Sequence, residues 1–134
     1  MIFLTFNSIF FFIIIRPIGE WVTHYILHKI NNKRHKDHHI FVHNLISYDK
    51  SYFYNSKKEI HLLPICIVLY ILGFNKLFIA LFYYWIIHIL IHINPVLFPE
   101  LFKHHAIHHK NPNVNYGVTT IWVDILFGTY KSEY

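Results

Sequence analysis

The chain is poor in what soluble, secreted and nucleotide-binding proteins rely on. Cys66 is its only cysteine, so no disulfide framework can form, and its place in the apolar run LLPICIVLY gives it a buried packing role. Charge is scarce too: 14% of residues are charged, against about 25% in soluble domains. By contrast, 54% are hydrophobic and 19% aromatic. There are four glycines and no glycine-rich phosphate loop, so no nucleotide or flavin site is expected. A net charge of +5 raises the question of nucleic acid. The basic residues, however, share their segments with long apolar runs, and no nucleic-acid-binding motif is present. The N-terminal MIFLTFNSIFFFIII has no positive segment before it and no small-residue cleavage site after it. It reads as a retained membrane helix, not a signal peptide. At 134 residues the chain has room for a single small domain spanning 1–134.

What is abundant is apolar length and histidine. Three apolar segments stand out: residues 2–15, continuing as helix to about Leu27; residues 60–74; and residues 77–93. Gly73 with Asn75 and Lys76 separates the last two as the tip of a helical hairpin. The middle segment is shorter than the ~20 residues a straight span needs. Lys29, Lys33, Arg34, Lys36, Lys50, Lys57 and Lys58 crowd the link over 29–58, and Lys103, Lys110 and Lys131 follow the hairpin. The positive-inside tendency puts both regions on the cytosolic face. Residues 44–58 read as a surface loop. Residues 98–110 read as a helix with Pro99 in its first turn, ending before Pro112. A short last helix is expected over 118–127, stopping at Gly128.

The 13 histidines are not scattered. His24 and His28 form H-x3-H, and His35, His38 and His39 form H-x2-H-H; His88 with His92, and His105 with His108 and His109, repeat the two patterns in the same order. Offsets of three and four put side chains on one face of a helix, so each cluster can aim two or three imidazoles at one point. Ten imidazoles are too many for one ion with an open position and suit two ions with about five ligands each. Imidazole accepts iron, copper, zinc or nickel, so the metal stays open on this ground. An adventitious metal-binding tract would have irregular spacing, whereas these clusters lie in or beside apolar helices, where polar groups are costly unless used. Bis-histidine haem ligation would leave both triplets unexplained. His43 and His61, outside the clusters, read as structural or solvated.

These four clusters, with N-Y-G at 115–117 and W-V-D-I-L-F-G-T-Y at 122–130, resemble the fatty acid hydroxylase/sterol desaturase superfamily of membrane di-metal oxidases, over about residues 20–130. The resemblance implies an all-α integral membrane bundle with a cytosolic, histidine-rich helical cap holding two iron ions, with zinc as an alternative occupant. It makes His24, His28, His35, His38, His39, His88, His92, His105, His108 and His109 the metal ligands. His104, one turn before His108, is undecided. Asn115 and Asp124 match positions beside the ligands and are expected to hydrogen-bond imidazole N–H groups. Glu20 and Asp37 are weaker candidates for the same task, and Tyr116 and Trp122 are expected to pack. Family members usually carry further membrane helices before the first histidine pair, so three readings stay open: a second copy of this chain completes the lipid channel, the sequence is a fragment, or it is a minimal version of the family.

The activity implied is O2-dependent hydroxylation of a C–H bond in a fatty acyl or sterol-type lipid. Carotenoid hydroxylation and lipid desaturation are alternatives at the same metal centre. Electrons would come from a separate electron-transfer protein fed by NAD(P)H, docking on the basic face formed by Lys29, Lys33, Arg34, Lys103 and Lys110. The expected location is the endoplasmic reticulum in a eukaryote or the inner membrane in a bacterium. Two other classes compete: a membrane di-zinc hydrolase that activates water, and a non-catalytic metal-binding membrane protein.

Overall fold

The computed structural model describes residues 6–30, 32–43 and 62–133; the side chains of Arg34 and of residues 40–43 fall outside that description. The expected loop over 44–58, His61 and the His43 imidazole therefore lie outside the described residues. Every regular element among the described residues is helical. In chain order these are α1 (Phe6–Lys29), α2 (Lys33–His43), α3 (Leu62–Ile71), α4 (Asn75–Ile93), α5 (Pro99–Lys110) and α6 (Trp122–Leu126).

Two of these, α1 and α4, are long and apolar enough to cross a membrane. Their apolar side chains, among them Ile9, Phe10, Ile13, Leu77 and Ile79, face outward, as a lipid-facing helix requires. Helix α3 is apolar but only 10 residues long, or about 15 Å at 1.5 Å per residue, half of a ~30 Å hydrocarbon core. Its end follows from Gly73, whose φ of 78° suits a residue without Cβ. The amides of Gly73 and Phe74 turn back to the carbonyls of Tyr70 and Leu69 at 3.0 and 2.9 Å, the paired bonds that close a helix at glycine. Asn75 and Lys76, expected in the hairpin tip, instead form the first turn of α4.

Pro17 leaves a mark on α1. It has no N–H to give, and its ring crowds the preceding turn. Residues Phe11–Ile15 widen into a π-turn, in which the Arg16 amide reaches the Phe11 carbonyl. The Phe12 carbonyl, to which Pro17 has no N–H to offer, accepts from Arg16 Nε at 3.3 Å.

The small core joins α4, α5 and the segment before α6: Ile87, Ile91 and Val118 are buried, with Tyr84, Phe98, Leu101 and Phe102 against them. The helix expected over 118–127 starts only at Trp122. Residues 116–119 give their amides to two carboxylates, Asp124 and Glu20, in an irregular segment ahead of it. The helix does stop as expected, with Gly128 at φ 68°.

Candidate metal centre

Helices α1, α2, α4 and α5 deliver ten imidazoles to two groups. His24, His28, His35, His39 and His108 make the first, and His38, His88, His92, His105 and His109 the second; within each, one nitrogen per ring lies within 4.8 Å of all the others. All ten residues with the expected spacing are brought together, but the clusters do not each serve one point. The H-x3-H pairs stay whole, His24 and His28 in the first group and His88 and His92 in the second. Each triplet divides. His35 and His39 join the first group while His38 turns to the second; His105 and His109 join the second while His108 turns to the first. At about 100° per residue, positions four apart differ by only ~40°, whereas neighbours diverge by ~100°. Each half of the chain thus lends one imidazole to the other's group.

The nitrogens meet in more contacts than hydrogen bonding can satisfy. In the first group His35 Nε2 faces the Nε2 atoms of His24, His28 and His39 at 2.9, 2.8 and 3.1 Å. His108 Nε2 lies 3.0 Å from that of His28 and 3.1 Å from that of His39. In the second, His105 Nε2 faces those of His88, His92 and His109 at 3.0, 3.1 and 2.9 Å. A neutral imidazole nitrogen carries one proton or one lone pair, so it cannot satisfy three such neighbours. Moreover, His108 Nδ1 donates to the Val114 carbonyl at 2.7 Å and His24 Nδ1 to that of Tyr116. Both rings therefore present bare lone pairs at Nε2. Converging lone pairs call for a cation between them. Two nitrogens about 2.1 Å from one ion and 90° apart are ~3.0 Å from each other, in keeping with the 2.8–3.2 Å separations found.

Protons do not readily take the cation's place. Burial first, and then the neighbouring imidazoles, push His35 down to about 2. Burial also pushes His108 down to about 3. Burial and neighbouring histidines likewise hold His39, His105 and His109 far below the usual histidine range. Near neutral pH these rings are uncharged, the state a metal ion requires. The donor set fits a pair of first-row transition-metal ions.

His104, left undecided by its sequence position, belongs to neither group. Its Nε2 lies 2.9 Å from Asp124 Oδ2, with both side chains buried, and its ring stacks on Tyr130. Asp124 thus binds an imidazole, as expected, but that of His104; its other hydrogen bonds and those of Asn115 go elsewhere than to the ten clustered rings. Asp124 is fully buried and accepts from Trp21 Nε1, the amides of Tyr116 and Gly117, Thr129 Oγ1 and His104. Burial alone would raise its pKa, but these bonds outweigh it and hold the carboxyl below its usual range. Asn115, in the left-handed region at φ 55°, binds the His104 and Lys131 carbonyls and the Lys131 amide.

What these two residues shape is the turn itself. Its Val114 and Tyr116 carbonyls, invisible to a reading of side chains, fix the orientation of His108 and His24. Gly117 is required here: a Cβ would meet the Thr120 carbonyl oxygen at 2.2 Å and Asp124 Oδ2 at 2.8 Å. Tyr116 also packs, as expected, edge-on to Trp21 and Tyr25. Glu20 binds no imidazole; its carboxylate takes the amides of Val118 and Thr119 at 2.7 and 2.8 Å.

No curated protein and no solved structure matches the chain. A family model, that of the fatty acid hydroxylases, matches residues 9–129. That span takes in all of α4 and all but the first three residues of α1, all ten clustered imidazoles, and the turn that orients two of them. With nearly its whole length matched, the chain belongs to the fatty acid hydroxylase family, within the fatty acid hydroxylase/sterol desaturase superfamily.

Proposed function

We propose that this protein is an O2-dependent, di-iron membrane hydroxylase acting on a fatty acyl or sterol-type lipid. Family membership supports lipid oxidation as the activity. The observation that carries the finer reading is the pair of five-imidazole groups, each with one nitrogen per ring converging within 4.8 Å, at the ends of two apolar helices. The first ion would be held by His24, His28, His35, His39 and His108, and the second by His38, His88, His92, His105 and His109. When bound, iron supplies the redox chemistry with O2 that an unactivated C–H bond demands. In sum, the lipid R–H, O2, two electrons and two protons give R–OH and water.

The chain's own contribution is geometry and exclusion of water. Four helices aim the ten rings, the 114–117 turn fixes two of them, and burial keeps His35, His39, His105, His108 and His109 unprotonated. Electrons would enter from a separate carrier fed by NAD(P)H. Lys29, Lys33, Lys36, Lys103 and Lys110 are all exposed on the helices that carry the histidines, and they offer an acidic carrier a docking face. We place that face in the cytosol, on the positive-inside tendency.

The test is expression in a lipid-rich host with an electron donor, followed by mass spectrometry of the lipids. A product heavier by one oxygen atom is expected, whereas loss of two hydrogens would mark desaturation. His108→Ala and His109→Ala should abolish product with membrane insertion intact; unchanged product would sink the ligand assignment. Full activity without O2 in a zinc-loaded protein would show a hydrolase instead.

A further inference from the structure

Arg16, Glu20, His24 and His28 recur every four residues along α1, one turn apart, and form a single stripe. The lower half of the stripe is a polar knot. Glu20 Oε1 accepts the amides of Val118 and Thr119, while Oε2 accepts the Thr119 hydroxyl and Arg16 Nη1. Arg16 Nη1 also donates to Thr119 Oγ1 at 2.6 Å, and its guanidinium lies over the Tyr83 ring of α4. The side chains of Arg16 and Glu20 are only 10% and 6% exposed, an expensive burial in an apolar helix. A surface ion pair would account for none of this; a fastening does.

What it fastens is set by chain connectivity. Two residues before the clamped amides, the Tyr116 carbonyl accepts His24 Nδ1–H. His24 stands one turn, about 6 Å, above Glu20 on the same helix. A closed ring results, running from Glu20 through Val118, Gly117 and the Tyr116 carbonyl to His24 and back along α1. The donor and the anchor of the acceptor thus hang from one rigid element, so small shifts of the rest of the bundle do not separate them.

We propose that Glu20 is a positioning residue that, through the 118–119 backbone, holds the Tyr116 carbonyl against His24 and so keeps His24 Nε2 directed into the first histidine group. This inference rests on the reading of the ten histidines as metal ligands, and it can be decided without metal. Metal-free chain labelled with 15N-histidine is placed in detergent micelles, and exchange of the His24 ring N–H with solvent is followed by NMR. His24→Gln assigns the signal. Glu20→Gln keeps an oxygen for the two amides and should leave the proton protected. In Glu20→Ala its exchange should accelerate at least about tenfold, as expected for losing roughly one hydrogen bond's net contribution.

Iron counts on loaded protein give a second readout. Wild type and Glu20→Gln should hold two ions, whereas Glu20→Ala should keep only the one bound by the second group. Unchanged exchange in Glu20→Ala would overturn the proposal, and so would loss of both ions together with helical circular dichroism, which would mark Glu20 as a general support of the fold. Wild type that binds no metal would sink the ligand reading, while the exchange comparison would still decide the role of Glu20.

Discussion

Replacing Asp124 by asparagine removes one charge and exchanges one acceptor oxygen for an NH2 group, and the structure sets the cost. Oδ1 receives Trp21 Nε1, the Tyr116 amide and Thr129 Oγ1, and Oδ2 receives His104 Nε2 and the Gly117 amide. With NH2 at the Oδ1 position, two N–H groups that can only donate would face another donor. At the Oδ2 position His104 can switch tautomer and accept, but the Gly117 amide is left orphaned. The cheaper choice still costs about 1–3 kcal/mol for one buried amide, and the surviving bonds fall from charge-assisted to neutral strength. Together these come to roughly 3–5 kcal/mol, a large share of a folding free energy of ~5–15 kcal/mol.

Unfolding of metal-free Asp124→Asn in mixed detergent micelles, followed by far-UV circular dichroism, measures that cost. The pH dependence adds a sign. The folded carboxyl sits below its usual value, so its contribution is complete above the unfolded pKa of about 3.9 and is lost as pH falls through the folded value. The gap between wild type and variant should therefore be constant near neutral pH and close only in acid. A loss under about 1 kcal/mol near neutral pH, well below the cost of one orphaned buried amide, would refute the reasoning.

Gly117→Ala should fail more completely, because its Cβ has no room between the Thr120 carbonyl and Asp124. The check is loss of iron from the first group in purified protein. His104→Gln should keep both ions, since His104 bonds Asp124, whereas His105→Gln should lose one; equal metal counts for the two variants would contradict the assignment. Metal loading near pH 7 should release almost no protons from His35 and His108, which sit at about 2 and 3; calorimetry in buffers of different ionisation enthalpy tests this. Because those folded values lie below the unfolded value of about 6.5, the metal-free protein should lose stability as pH drops below that point, and acid titration of its unfolding would show it.

How much could be read beforehand follows from which interactions are local. Helical offsets are local, so His24 with His28 and His88 with His92 declared themselves as pairs. So did the apolar lengths of α1 and α4 and the glycine stops at Gly73 and Gly128. The division of the triplets is only half local. Spacing makes His38 diverge from His39 by about 100° on a helix, but which group each joins depends on where α1 and α4 lie. His104 and His105 are both buried, and only the position of Asp124, twenty residues on, separates their roles. The carbonyls of Val114 and Tyr116 carry no side-chain signature, and nothing local in residues 118–121 announces that Glu20, about a hundred residues away, binds the amides of Val118 and Thr119 in the irregular segment ahead of Trp122.

The lent histidines have a mechanical consequence. His38 and His39 are neighbours on α2, yet they point into different groups, so α2 acts as an axle with a cog set on each side. Turning it to tighten one group withdraws a ring from the other, and α5 has the same gearing through His108 and His109. Two centres geared in this way cannot be tuned separately by moving helices; whatever pulls at one of them is felt at the other.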